Sequence, residues 1–326
     1  MNQTFYEQLV MSTQVNYSKY YGVYASGGTP IKLTEKQPLP YAQQIATFAE
    51  KLKAADHVIV GGASGLSAAG GGDFYYAATP SYQQAFKRFY DKYHFKGAFA
   101  GMQHQWDSRG EFWGYLTTYL HTTLHAAVRE PYQDLKAILQ DKDYFILTTN
   151  QDTQAIKAFP EDKVAQIQGD HRFFQCSQQC HDDVWDATDQ IDTMYDYLEQ
   201  HDTTVLPDDL IPRCPDCGAE AFPWVRGYGN FLEGSRYQEQ YQKISHDVDV
   251  HLHDKHVLFI ELGVGRLTPM FIQEPFWALT SNMPGAYDVM VNRDYQFLPQ
   301  ALEDKGTAIK HDIRQVLKDV RQELNK

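Results

Sequence analysis

The stretch Val58-Ile-Val-Gly-Gly-Ala-Ser-Gly-Leu-Ser-Ala-Ala-Gly-Gly-Gly-Asp73 decides the reading of this chain. Three β-branched apolar residues make a short buried strand, and glycine ends it abruptly. With no Cβ to block approach, the backbone amides beside Ser64 and Ser67 are suited to a pyrophosphate. Alone the pattern is weak, because glycine turns after strands are common and this one lacks a clean dinucleotide fingerprint. Its surroundings strengthen it. Upstream, Tyr41, Ile45, Phe48, Ala49 and Leu52 recur at helical spacing. Downstream, Pro131 suits the first turn of a helix carrying Leu135, Ile138 and Leu139, which runs into a strand over 144–147. Further strands are read at 164–167, 257–262 and 287–291, and a last helix carries Ile309, Ile313, Val316, Leu317, Val320 and Leu324 on one face. Short apolar strands alternating with helices indicate an α/β fold, a doubly wound parallel Rossmann-like sheet with both faces covered.

Two insertions interrupt the alternation. Residues 74–130 have no obvious strand and one amphipathic helix, with Phe112, Tyr115, Leu116, Tyr119 and Thr123 on a face, and read as a helical module. Residues 171–222 hold all four cysteines, in the close pairs Cys176/Cys180 and Cys214/Cys217. That spacing predicts a tetrahedral thiolate zinc site; two disulfides are the alternative, disfavoured because no secretory leader is read. Four thiolates leave no open position for a reactive water, so the metal is expected to be structural. The expected organisation is therefore an extension (1–40), a nucleotide lobe (41–73, 131–170 and 223–326), the helical module and the zinc module. The acidic stretch 182–209 reads as solvated surface.

At 326 residues and 43% hydrophobic, the chain can bury a full core. A net charge of −13 without a basic stripe disfavours nucleic acid. No run approaches the ~20 apolar residues of a membrane span, so a cytoplasmic, non-membrane protein is expected.

The strand at 144–147 ends in Thr148-Thr-Asn-Gln-Asp152, polar residues at the carboxyl end of a parallel strand, where open sheets place ligands. Asn150 and Asp152 can hold a carboxamide between donor and acceptor, although the same residues suit a plain turn. The glycine loop, this Thr-Asn-x-Asp, the triplet Gln168-Gly-Asp170 just before the four-cysteine module, Leu262-Gly-Val-Gly265 and Val291-Asn-Arg-Asp294 come in an order that resembles a sirtuin over residues 45–295. The resemblance implies NAD in a cleft between a large sheet lobe and a smaller helical and zinc-bearing lobe. It further implies NAD contacts from Gly62, Ala63, Ser64, Gly65, Ser67, Asp73, Phe74, Thr149, Asn150, Asp152, Gln168, Gly263, Val264, Gly265, Asn292 and Asp294.

The departures carry functional information. Where a sirtuin deacylase has its catalytic histidine, eight residues before the first zinc cysteine, this chain has Gln168. Tyr75 replaces an arginine, Thr149 a glutamine, Gly263-Val-Gly265 a Gly-Thr-Ser turn, and Tyr228-Gly-Asn230 a Phe-Gly-Glu. These changes resemble the divergent, macrodomain-linked sirtuins, a class associated with protein ADP-ribosylation. The implied partners are a protein substrate, with a lipoylated carrier protein the first to test, and a macrodomain protein.

The chemistry agrees. A neutral amide cannot take a ribose proton, so deacylation should lose general-base help, typically ~10²–10⁴-fold. Displacement of nicotinamide needs mainly positioning, which Gln168 can supply by hydrogen bonding. The expected catalytic set is Asn150, Asp152, Gln168 and Arg226; the last follows the zinc module and could bind a carboxylate or acyl group, or simply pair with a surface acid. An NADase or NAD sensor, and a deacylase with a substitute base, are the other readings. Asp170 and His171 are the nearest alternative bases, although His171, three positions past Gln168, should point elsewhere. His104, His121, His125 and Leu135 are expected to play no part.

Overall fold

Six parallel strands in the order β3-β2-β1-β7-β8-β9 frame the larger lobe of the computed structural model, which describes residues 3–21, 32–227, 230–254, 256–265 and 268–326. The strands are β1 (His57–Gly62), β2 (Asp143–Thr148), β3 (Val164–Gln166), β7 (Val257–Leu262), β8 (Ala286–Asn292) and β9 (Gly306–Lys310). Alternate residues enter opposite cores, which is why these strands read as largely apolar runs. Val58, Val60, Ile146 and Ile260 pack under helices Tyr41–Ala54, Glu130–Leu139 and Ile313–Leu324. Ile59, Phe145 and Phe259 face the other way, against helices Phe5–Tyr21, Ser235–His251 and Gln273–Asn282. Each such side chain contributes roughly 1.5–3 kcal/mol by leaving water.

Register sets the site. Gly62 at the end of β1 lies opposite both Thr148 and Leu262, and Leu262 opposite Val291. The carboxyl ends of β2, β1, β7 and β8 therefore finish level, and the direction of winding reverses between β1 and β7. That junction is where doubly wound sheets open a crevice.

One expected helix is shorter than its pattern. Ile309 belongs to the edge strand β9, and the last helix begins at Ile313, after Asp312 caps it by accepting from the Gln315 amide at 3.1 Å. The apolar residue every four positions continued through the strand by coincidence, because β9 buries Ile309 against β8. The N-terminal helix, not foreseen, packs behind the sheet: the Tyr6 amide donates to Ser245 Oγ at 3.0 Å and its hydroxyl to Phe271 O at 2.9 Å.

The smaller lobe joins helices Pro80–Ala85, Lys87–Tyr93, Ala98–Met102, Arg109–His125 and Thr188–Gln200 to a three-stranded antiparallel sheet. Its order is β5-β4-β6, with β4 at Gly169–Cys176, β5 at Trp185–Asp186 and β6 at Ala221–Val225. Helix Arg109–His125 does not present one apolar face. Trp113, Tyr115, Leu116, Tyr119 and Leu120 are all buried while Phe112 is partly exposed, because the helix is enclosed by its neighbours and β4. Part of the acidic stretch forms helix Thr188–Gln200, which buries Ile191, Met194 and Leu198 and leaves its acids to solvent.

Candidate functional site

Between the lobes lies a cleft lined by Ser64, Ser67, Thr149, Asn150, Asp152, Gln168 and Arg226, with Tyr75, Tyr119, Gln151 and His171. The loop after β1 forms its floor. Gly263 sits at φ 71°, and a Cβ on Gly65 would come within 2.6 Å of its Cα, so the turns after β1 and β7 touch backbone to backbone. The Gly65 amide donates to Gly263 O at 3.1 Å. Only glycine permits this approach, which holds the two turns open toward the cleft.

Asp152 is the buried anchor. Its Oδ2 accepts from Ser67 Oγ at 2.6 Å and from Arg129 Nη1 at 3.1 Å. A buried ion pair is tolerated only with such added hydrogen bonds, and removing one partner costs about 3–5 kcal/mol. Asn150 Nδ2 donates to Ala63 O at 2.9 Å and to Tyr132 Oη at 3.2 Å, which fixes the amide so that its oxygen is the end left for a ligand. Burial, and then the Asp152 charge, raise the Tyr132 phenol above its usual range, keeping it neutral. Arg129 and Tyr132 escaped sequence reading. Arg129 reaches the corner that also holds Tyr75, the residue standing where the resemblance expects an arginine.

Gln168 is 5% exposed, and its Nε2 is buried without a hydrogen-bond partner. Gln151 Nε2 donates to both Gln168 O and Arg226 O at 3.0 Å, tying the start of β4 to the end of β6. His171 does not point elsewhere: it lines the same cleft. In a regular strand residues three apart face opposite sides. Here Gly169 sits at φ 93° and the β4–β6 register shifts between Gly169 and Phe174, a bulge that turns Gln168 and His171 to one cavity. The His171 ring is buried, with Nδ1 3.0 Å from Thr123 Oγ1 and Tyr119 edge-on, and burial pushes its pKa down to about 4.

Asp170 is held away from the cleft by Arg172, which donates from Nε at 2.9 Å and Nη2 at 2.7 Å. Burial raises its carboxyl. His121 and His125 face Asp192, and His104 lines a separate surface hollow with Trp106. Arg226 pairs through Nη2 with Glu233 at 2.6 Å and also lines the cleft.

A second, tighter cavity adjoins the ends of β7 and β8, lined by Val264, Gly265, Asn292, Tyr295 and Glu261 among others. Asn292 Nδ2 donates to Val264 O at 2.8 Å, and its Oδ1 accepts from the Asp294 amide at 2.8 Å. The Asp294 carboxylate turns instead to Arg293. Phe74 is packed against Tyr75 and Phe86 in the aromatic core and is not among the cleft-lining residues. The Asp73 side chain, Tyr228 and Gly229 lie outside the described residues.

The four cysteine sulfurs lie within 4.8 Å of one another. Cys176 and Cys217 are 3.5 Å apart and Cys180 and Cys214 3.6 Å, too far for disulfides. Zinc with ~2.3 Å bonds to tetrahedral thiolates implies separations of about 3.8 Å, so the set fits structural zinc. It joins the end of β4 to the turn before β6 without touching the cleft.

Parallel sheet, inserted zinc lobe and interlobe cleft together define a protein of sirtuin fold, divergent at the residues that face the cleft. Solved Sir2 structures superimpose on it with low sequence identity. One from a study of Sir2 mechanism and regulation covers 87% of this chain and 98% of its own, at TM-score 0.52 and 16% identity. A Sir2 homologue–NAD complex covers 90% and 97%, at TM-score 0.52 and 12% identity. Among curated proteins, the chain is 29% identical over 262 residues to a protein ADP-ribosyltransferase of Staphylococcus aureus, covering 79% of this chain and 81% of the relative. It is 26% identical over 311 residues to a probable bifunctional ADP-ribose hydrolase/ADP-ribosyltransferase of Fusarium oxysporum, covering 91% of this chain but 50% of that protein. No family model matches.

Proposed function

We propose that this chain is an NAD-dependent protein ADP-ribosyltransferase. The observation that carries the reading is Gln168: a neutral amide, buried in the cleft wall with an unpaired Nε2, where the sirtuin resemblance places a general base. In the proposed reaction NAD spans the turns after β1 and β7, with its nicotinamide carboxamide at Asn150 and Asp152. The bond from ribose C1′ to nicotinamide breaks, its electron pair leaves with nicotinamide, and a protein side chain bonds to C1′. Asn150 and Asp152 orient the leaving group, Gln168 donates to a ribose hydroxyl, and Arg226 receives the acceptor protein at the cleft rim. The nucleotide belongs to the lobe of residues 41–73, 131–170 and 223–326, with 74–130 and 171–222 forming the other wall. The two curated relatives support the activity by name.

The finer reading is a cytoplasmic enzyme acting on a lipoylated carrier protein and linked to a macrodomain protein. No helix among the described residues is long and apolar enough to cross a membrane. His171 in the cleft favours one second reading, a deacylase with a substitute base. Incubation with labelled NAD and lipoylated, unmodified or acylated proteins separates them. Label on the carrier protein supports the transferase, release of acyl-ADP-ribose the deacylase, and free ADP-ribose alone an NADase.

A further inference from the structure

Two protons determine the state of His171. Thr123 has one hydroxyl hydrogen, and it is donated to Leu120 O at 2.9 Å. With that hydrogen on Leu120 O, the contact between Thr123 Oγ1 and His171 Nδ1, 3.0 Å, is made with the imidazole hydrogen. In that arrangement Nδ1 carries the proton and Nε2 presents a bare lone pair. That atom is buried with no partner, in a residue 1% exposed that lines the cleft beside Gln168 and Asn150. Leaving a buried acceptor unpaired costs about 1–3 kcal/mol, a penalty that a bound ligand removes.

We propose that His171 Nε2 accepts the O–H proton of the incoming nucleophile during ADP-ribosyl transfer. This rests on the transferase reading above. As the C1′–nicotinamide bond breaks, the acceptor oxygen bonds to C1′, its O–H proton moves to Nε2, and the resulting imidazolium gives that proton to water. The products are ADP-ribosylated acceptor, nicotinamide and one proton. A weak base suffices, because a hydroxyl bonding to a cationic carbon becomes strongly acidic. Asp152, itself paired with Arg129, favours the imidazolium; Arg226 also lines the cleft, and Tyr119 and Thr123 flank the ring. Gln168 holds the ribose while His171 takes the proton, so the work of one histidine is divided between two residues.

The test compares two reactions of NAD on the full-length protein. Exchange of labelled nicotinamide into NAD moves no proton; attack by methanol does. His171→Phe should cut methyl-ADP-ribose formation by about 10²-fold more than it cuts exchange. Equal loss of both would reduce His171 to a packing role and overturn the proposal alone. A wild type showing neither reaction overturns the transferase reading, and the proposal with it. Nitrogen-15 NMR supplies a readout apart from activity: the His171 signal should report the Nδ1–H tautomer, and an Nε2–H tautomer would refute the assignment. If His171→Phe fails to fold, Thr123→Val, which releases the tautomer, should show the same split in weaker form.

Discussion

His171 also makes a stability prediction that can be worked through. In the unfolded chain its pKa is near 6.5; in the folded protein burial pushes it down to about 4. The folded state therefore refuses a proton that the unfolded state accepts. Above pH 6.5 the ring is neutral in both, and its contribution is fully present. As pH falls the unfolded chain gains the proton, and stability is lost until the folded ring also titrates near pH 4. That difference is equivalent to about 3 kcal/mol, of which roughly 2.5 kcal/mol is gone by pH 4.5. The perturbation is His171→Gln, which keeps a polar side chain and removes the titration. Urea unfolding of both proteins, followed by tryptophan fluorescence between pH 7.5 and 4.5, gives the difference in stability and cancels the acid loss of zinc common to both. The variant should gain on wild type by roughly 2.5 kcal/mol across that range, whatever its packing cost at pH 7.5. A flat difference would mean that the ring is already charged or solvated in the folded protein, and the lone-pair argument would fail.

Gln168→His should introduce acyl-ADP-ribose release from an acylated peptide, read by mass spectrometry; no change in any activity would mean that residue 168 is not the base position. Asn150→Ala should abolish nicotinamide release, measured by chromatography, since it removes the donor to Ala63 O and Tyr132 as well as the ligand contact. Chelation should release one zinc per chain and melt β4–β6, read by hydrogen exchange, while the six-stranded sheet keeps its protection. Glu261, buried beside Asp288, has its carboxyl pushed up to about 7 by burial, so its own contribution to stability should fall as pH rises from about 4.5 through 7, opposite in sign to that of His171. Glu261→Gln should flatten that slope in denaturant titrations.

Much of the large lobe was legible because its physics is local. Strands buried on both faces are apolar for most of their length, so β1, β2, β7 and β8 announced themselves even with His57, Glu261 and Asp288 buried within them. The small sheet did not. Gly169-Asp-His-Arg-Phe-Phe-Gln-Cys176 contains four polar residues in eight, and Asp170, His171 and Gln175 are buried because specific side-chain and backbone partners satisfy them. Thr123 reaches His171 from a helix, Gln175 Oε1 accepts the Leu232 amide at 2.9 Å, and Arg172 holds Asp170. No periodicity encodes such contacts.

The chain by itself determined the alternation of strand and helix, the four-thiolate set and the amide at 168, because each is a matter of residue type at a spacing. Tertiary structure decided which groups face the cleft. Arg129 arrives from another segment to neutralise Asp152, and a bulge at Gly169 turns His171 inward. Side-chain direction depends on register and on partners remote in sequence, so a histidine set aside on spacing alone lies, once the chain is folded, beside the glutamine that marked the site.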